Sequence, residues 1–156
     1  ETFPEPQPLL TKAKVLPGLD GRKMSKSYGN TINLYDSPDI IKKKVSTMIT
    51  DPARIRKDDP GHPEVCSVFA FHKVFNEAMV PEIEEQCTGG KIGCVQCKKN
   101  LAAKMIEYME PIHERRQKVL AKPQIIREVI EEGNKKASAV AANTMNDVRK
   151  AMNMDW

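Results

Sequence analysis

Apolar residues recur at three- and four-residue intervals along most of the chain, beginning at residue 40, so helices should dominate its structure. Ile40, Ile41, Val45, Met48 and Ile49 form the first such stripe. Ser37-Pro38-Asp39 ahead of it supplies a side-chain cap, a proline suited to the first helical position and an early acid, which predicts a helix over 38–49. The charged, proline-bounded segment from Asp51-Pro52 to Pro60-Gly61 reads as a loop. A second helix should run from Pro63 through Phe75, with Val65, Phe69, His72 and Phe75 along one face. A short acidic helix is expected from Val80 to Gln86, then a glycine-rich turn, then a long helix from about Cys97 to Leu120 that Pro111 should kink or break. Gln124–Glu132 and Asn134–Met152 read as two further helices with Gly133 as the stop, and Ala137, Ala141, Met145, Val148 and Met152 share one side of the last. Residues 1–35 follow another pattern. Pro4, Pro6, Pro8 and Pro17 interrupt short apolar pieces such as Leu9-Leu10 and Val15-Leu16, which suits the tail of an α/β sheet and its loop, too small to fold alone. The expected architecture is mainly α, with one boundary near residue 35.

At 156 residues, 40% apolar and 29% charged, the chain can bury one respectable core. No apolar run is long enough to cross a bilayer, and Glu1-Thr2-Phe3-Pro4-Glu5-Pro6 lacks the basic-then-apolar layout of a signal peptide, so no membrane role and a cytoplasmic setting are expected. The chain opens on a glutamate with a proline-rich lead and no strand-turn-helix before it, and it reads as a fragment. Twenty-five Lys and Arg against 21 Asp and Glu is too mild an excess to indicate nucleic acid by itself. The distribution says more. From Lys91 to Arg127 there are nine Lys or Arg against three Glu, whereas Glu77 to Gln86 carries four glutamates and no base. A basic stretch of this kind fits either an RNA footprint or a solvated helix face.

The densest chemistry lies in Lys23-Met24-Ser25-Lys26-Ser27, where two ammonium groups and two hydroxyls fall within five residues, flanked by Gly18, Gly21 and Gly29. Two point charges three residues apart on flexible stems can converge on one polyphosphate, and the glycines let the backbone approach it or move over it. A solvated basic loop is the plainer reading of such a pentapeptide.

The whole pentapeptide, however, is similar to the signature loop of class I aminoacyl-tRNA synthetases. With Leu19-Asp20-Gly21-Arg22 before it and Tyr28-Gly29-Asn30-Thr31-Ile32 after it, it resembles the tryptophanyl and tyrosyl subgroup. Thr50-Asp51-Pro52-Ala53-Arg54, Pro63-Glu64-Val65-Cys66, the Phe69 to Phe75 stretch and Gly93-Cys94 leading into Lys98-Lys99-Asn100-Leu101 carry the resemblance to bacterial tryptophanyl-tRNA synthetases along nearly the entire chain. The resemblance implies the end of a Rossmann catalytic domain over 1–35 and a helical tRNA anticodon-binding domain over 36–156. It implies ATP-dependent activation of tryptophan and transfer to tRNA(Trp), with Mg2+, by a homodimer. Lys23 and Lys26 become the catalytic pair, Lys23 to Ser27 the ATP-binding loop with the Met24 backbone near adenine, and Lys98, Lys99, Arg115, Arg116 and Lys118 the tRNA-binding candidates. The histidine-containing phosphate motif and the tryptophan pocket of such enzymes are not in these residues, so the chain should be inactive alone. A stand-alone metal-stabilised RNA-binding module and a tyrosyl enzyme are the rival readings.

Cys66, Cys87, Cys94 and Cys97 are the only cysteines, and the last two form a C-x-x-C ahead of a basic helix. Two thiolates at that spacing can grip one metal, and four complete a tetrahedral zinc (Zn2+) or iron–sulfur site. A disulfide is disfavoured in a reducing compartment, and a lone Cys66 would read as core. Some tryptophanyl-tRNA synthetases carry a four-iron four-sulfur (4Fe-4S) cluster on cysteines ending in the same spacing, although the first gap here, from Cys66 to Cys87, is slightly short. The resemblance thus implies a 4Fe-4S cluster with a structural role. His72 reads as a core histidine, His62 and His113 as structural or exposed, and Arg54, Arg56 and Lys57 as members of a local ion-pair loop with Asp51, Asp58 and Asp59.

Overall fold

A computed structural model describes residues 3–11, 13 and 15–154. Five α-helices account for most of them: α1 (Pro38–Thr47), α2 (Ser67–Phe75), α3 (Val80–Thr88), α4 (Cys94–Leu120) and α5 (Gln124–Ala151). Among the described residues there is no strand, only one isolated antiparallel bridge between Pro17 and Lys23. The chain is mainly α, as its periodicity requires.

The chain divides by internal contacts into two compact units, Leu10–Glu114 and a second made of Glu1–Leu9 with Arg115–Trp156. In the larger unit α1 starts as read: the Ser37 hydroxyl accepts from the Ile40 amide at 3.4 Å, with Pro38 at the first turn. Ile41 and Val45 from α1, with Met48 just beyond it, meet Val68 and Phe71 of α2 and Leu101, Ala102, Met105 and Met109 of α4 in the core. Burying side chains of this size stabilises by roughly 1.5–3 kcal/mol each before entropy is counted. Phe71, Phe75 and Tyr108 extend the core as a chain of ring contacts, 6.0 Å stacked and then 5.2 Å edge-on. The helix expected to start at Pro63 is divided. A 3-10 turn covers Pro63–Val65 and α2 begins only at Ser67, so Val65 points outward while Phe69 and His72 are buried.

Neither Pro111 nor Gly133 ends a helix. Helix α4 starts earlier than read, at Cys94, and runs through Pro111 without ending. A proline forfeits one main-chain bond, but Met105 and Met109 before it are locked in the core, which outweighs that loss. Helix α5 likewise runs through Gly133, which is not in the left-handed region that a glycine stop adopts. Glutamates before it and lysines and alanines after it favour helix strongly enough to carry it across.

Candidate functional site

The signature loop is ordered by its own sequence. Gly21, at φ 76°, closes a turn by donating to the Gly18 carbonyl at 3.0 Å, and Gly29, at φ 64°, ends a 3-10 turn over Lys26–Tyr28 by donating to Lys26 O at 3.2 Å. Both positions need the left-handed conformation that glycine alone adopts without strain. Met24 packs against the helical core, whereas Lys23 and Lys26 on either side of it are exposed. The apolar residue anchors the loop and the two ammonium groups face solvent.

Asn30 is the hub. Its side chain, 4% exposed, accepts from the Ser25 amide at 2.8 Å and donates to Asp20 Oδ1 at 2.8 Å and Lys23 O at 3.2 Å, while its own carbonyl accepts from Leu19 N at 3.0 Å. Gly18 must be glycine to permit this, because a Cβ there would lie 2.2 Å from Asn30 Nδ2. The Asn30 bond, followed by those from Arg22, holds the Asp20 carboxyl below its usual range. Arg22 in turn pairs with Asp20 at 2.6 Å and lies 4.9 Å from the Tyr28 ring centre, and the Ser25 and Ser27 hydroxyls are hydrogen-bonded at 2.8 Å. The chemistry on offer is a loop with fixed backbone and two mobile cations, suited to charge on phosphoryl oxygens. Nothing in the local sequence marks Asn30 as a fixed centre; the contact with Gly18, twelve residues away, reveals it.

The four cysteines lie in one neighbourhood. All are free and half-buried, and Cys66 and Cys97 abut the core. Burial raises the thiol proton affinity of Cys66, Cys87 and Cys97, and charge on neighbouring cysteines raises it further, taking Cys97 up to about 12. The expected metal centre is not assembled, however: among the described residues no three His, Cys, Asp or Glu side chains are set to hold a metal ion. The sulfurs have other neighbours, Cys97 Sγ lying 3.5 Å from His72 Nε2 and Cys87 Sγ 3.7 Å from Arg54 Nη1. Three observations still fit a thiolate-bound group. The donor set is four free thiols, the Arg54 Nε is buried with no partner, and a Cβ on Gly61 would sit 2.5 Å from Cys87 Sγ, so the backbone is pressed against that sulfur. Zinc or an iron–sulfur cluster would supply no reaction step here, only cross-links between α3, α4 and the segment before α2.

Arg54 does not join the expected ion-pair loop. It bonds Cys87 and the Lys57 carbonyl, and among the described residues no ion pair links Arg54, Arg56 or Lys57 to Asp51, Asp58 or Asp59. Asp51 instead accepts from both the amide and Nδ1 of His62, at 2.9 and 2.8 Å, holding its own carboxyl low and the imidazole high. His72 is fully buried, as its position among phenylalanines implied. Asn76 Nδ2 lies 3.3 Å from its Nδ1, which leaves Nε2 to donate to Cys97 O at 3.2 Å; burial keeps the ring neutral by lowering its pKa. His113 Nε2 lies 2.9 Å from the Leu34 carbonyl. Of the RNA-contact candidates, Lys98 and Lys99 line a cavity between α1 and α4, whereas Arg115, Arg116 and Lys118 fall in the other compact unit.

A family model for class I tRNA synthetases of tryptophan and tyrosine (W and Y) matches residues 1–110, and the chain belongs to that family. Within it the chain is similar to tryptophan–tRNA ligases: that of Aquifex aeolicus is 50% identical over 154 residues, covering 97% of this chain and 39% of the relative, and that of Thermotoga maritima is 48% identical, covering 99% and 48%. The chain therefore spans less than half the length of these curated relatives. The crystal structure of tryptophanyl-tRNA synthetase from Campylobacter jejuni complexed with ADP and tryptophan superposes with a TM-score of 0.74 at 31% identity, covering 89% of this chain and 43% of that one.

Proposed function

We propose that the chain supplies the phosphate-facing loop and the tRNA-binding helices of a cytoplasmic, homodimeric tryptophan–tRNA ligase. In this reading residues 1–35 close the Rossmann catalytic domain, 36–156 form the anticodon-binding domain, and adenylation needs residues beyond this chain. A tryptophan carboxylate oxygen attacks the α-phosphorus of ATP, the bond to the bridging oxygen breaks, and pyrophosphate departs with its electrons; the acyl group then passes to the terminal ribose of tRNA(Trp). Lys23 and Lys26 stabilise the departing pyrophosphate beside the Mg2+ that accompanies ATP, and Ser25, Ser27 and the Met24 backbone orient the nucleotide. The carrying observation is the pair of exposed ammonium groups on a backbone fixed by Asn30 and Met24. Lys98 and Lys99, with Arg115, Arg116 and Lys118, are the RNA contacts. The similarity to tryptophan–tRNA ligases favours this reading over a tyrosyl enzyme or a non-catalytic RNA module.

Lys26→Ala in the full-length enzyme tests the loop. Tryptophan-dependent ATP–pyrophosphate exchange should fall about a hundredfold, the effect of losing roughly 3 kcal/mol of transition-state stabilisation, with tryptophan affinity little changed. An equal loss of ground-state binding would contradict the role. Cys66, Cys87, Cys94 and Cys97 are in our reading the ligands of a 4Fe-4S cluster, with Zn2+ as the alternative. Elemental analysis and a visible spectrum of anaerobically purified protein decide between them. A colourless, metal-free sample with four titratable thiols removes both.

A further inference from the structure

Helix dipoles treat the four thiols unequally. Cys66 stands at the N-cap of α2 with the Phe69 and Val68 amides turned to its sulfur, and Cys94 and Cys97 occupy the first turn of α4, so these three lie at positive helix ends. Cys87 is the exception. It sits one residue before the end of α3, where the helix dipole opposes a negative sulfur. Arg54 is the group set against it: Nη1 lies 3.7 Å from Cys87 Sγ, Nη2 donates to the Lys57 carbonyl, and Nε is buried with no partner. The loop that carries Arg54 is held to Cys87 through the main chain as well. Gly61 N donates to Cys87 O at 2.9 Å, and a Cβ on Gly61 would lie 2.5 Å from Cys87 Sγ and 3.3 Å from Arg54 Nη1. A Cβ on Gly90 would come within 2.4 Å of the Asp58 carbonyl oxygen, so the turn after α3 is pressed onto the same loop.

A guanidinium keeps its charge at any ordinary pH, and a half-buried one calls for a negative partner. Among the described residues no carboxylate forms an ion pair with Arg54. A neutral Cys87 thiol leaves that charge unbalanced. Four thiolates balance it, because they outnumber the positive charges of Zn2+ or of an oxidised 4Fe-4S core. We propose that Arg54 is the counter-charge that holds the Cys87 thiolate on the bound metal group. This role rests on the reading of the four cysteines as metal ligands. It adds a residue outside the ligand set that decides how firmly Cys87 stays bound and how readily an iron–sulfur core accepts an electron, since hydrogen bonds and positive charge at its sulfurs favour the reduced form.

The test uses the full-length enzyme purified without oxygen. In Arg54→Gln the visible absorption should bleach in air about tenfold faster than in the parent, as expected for loss of a charged hydrogen bond. A dithionite titration should show the reduction potential lowered by about 59 mV, a tenfold change in the one-electron equilibrium. Arg54→Lys keeps the charge and should recover most of that shift, whereas a side chain that merely packs would move the melting temperature and leave the potential alone. Gly61→Ala retains Arg54 but displaces Cys87; it should bleach as fast as Arg54→Gln, and it decides retention if Arg54→Gln does not fold. Parental bleaching and potential in Arg54→Gln, beside a coloured parent, would overturn the role of Arg54 and leave the cluster standing, as would equal falls in potential for Arg54→Lys and Arg54→Gln. A parent that holds zinc refutes the cluster, and Arg54 is then judged by zinc transfer to a chelating dye, about tenfold faster in Arg54→Gln if it is the counter-charge and parental if it is not. A colourless, metal-free parent with four titratable thiols refutes both.

Discussion

Replacing Asn30 by alanine should unlock the signature loop while leaving the helical core intact. The side chain accepts from the Ser25 amide and donates to Lys23 O, and each such bond is worth a net of about 1 kcal/mol, so their loss amounts to about 2 kcal/mol. The third bond, to Asp20, is partly exposed to solvent and is left out of the sum. A difference of 2 kcal/mol multiplies the local opening equilibrium roughly thirtyfold. Amide hydrogen exchange measures it directly: Ser25 should exchange about thirty times faster, with Val45 and Leu101 in the core unchanged. Asn30→Asp keeps the acceptor but sets a second carboxylate against Asp20, so at neutral pH it should be at least as damaging and should recover as pH falls through the carboxylate range. Gly18→Ala alone should open the loop by collision with Asn30, and in the Asn30→Ala background most of that penalty should vanish, a coupling that a double-mutant cycle isolates. In the full-length enzyme pyrophosphate exchange should drop with the same ranking. Unchanged Ser25 exchange in Asn30→Ala, or additive effects of the two alanines, would refute Asn30 as the centre of the loop.

The Asp51–His62 pair makes stability depend on pH at both ends. Stability from His62, whose pKa the Asp51 bond raises above 6.5, is complete below that value and lost as pH rises through the raised one; stability from Asp51, whose pKa the His62 bond lowers below 3.8, is complete above that value and lost as pH falls through the lowered one. His62→Gln should therefore flatten the alkaline fall in a series of urea midpoints and move the acid fall to higher pH. Gly133→Ala should raise the stability of α5 by about 0.5–1 kcal/mol, because the helix is uninterrupted there and a Cβ would meet nothing within 4 Å. A lower melting temperature for that variant would show that the glycine breaks the helix after all.

Residues within a turn or two of one another determined much of this protein. The Ser37 cap with Pro38, the apolar stripe of α1, the glycine-framed lysine loop and the C-x-x-C are each contained in a dozen residues or fewer, so they could be read without knowing the fold. Periodicity also made His72 a core residue. It ended a helix at Gly133 and allowed a break at Pro111, where local breakers are outvoted by the helix around them and, at Pro111, by methionines held in the core. Tertiary structure alone decided the rest. The Arg54 guanidinium meets Cys87 across 33 positions, Lys98 meets Ser46 across 52, and Met24 ties the loop to a core built from three helices. Such contacts arise from chain segments brought together by burial of distant apolar surfaces, which no local pattern of residues encodes. The sequence therefore determined that two lysines sit on a mobile-looking loop. Only the fold decided that Asn30, buried against a glycine with no Cβ to displace it, holds that loop still.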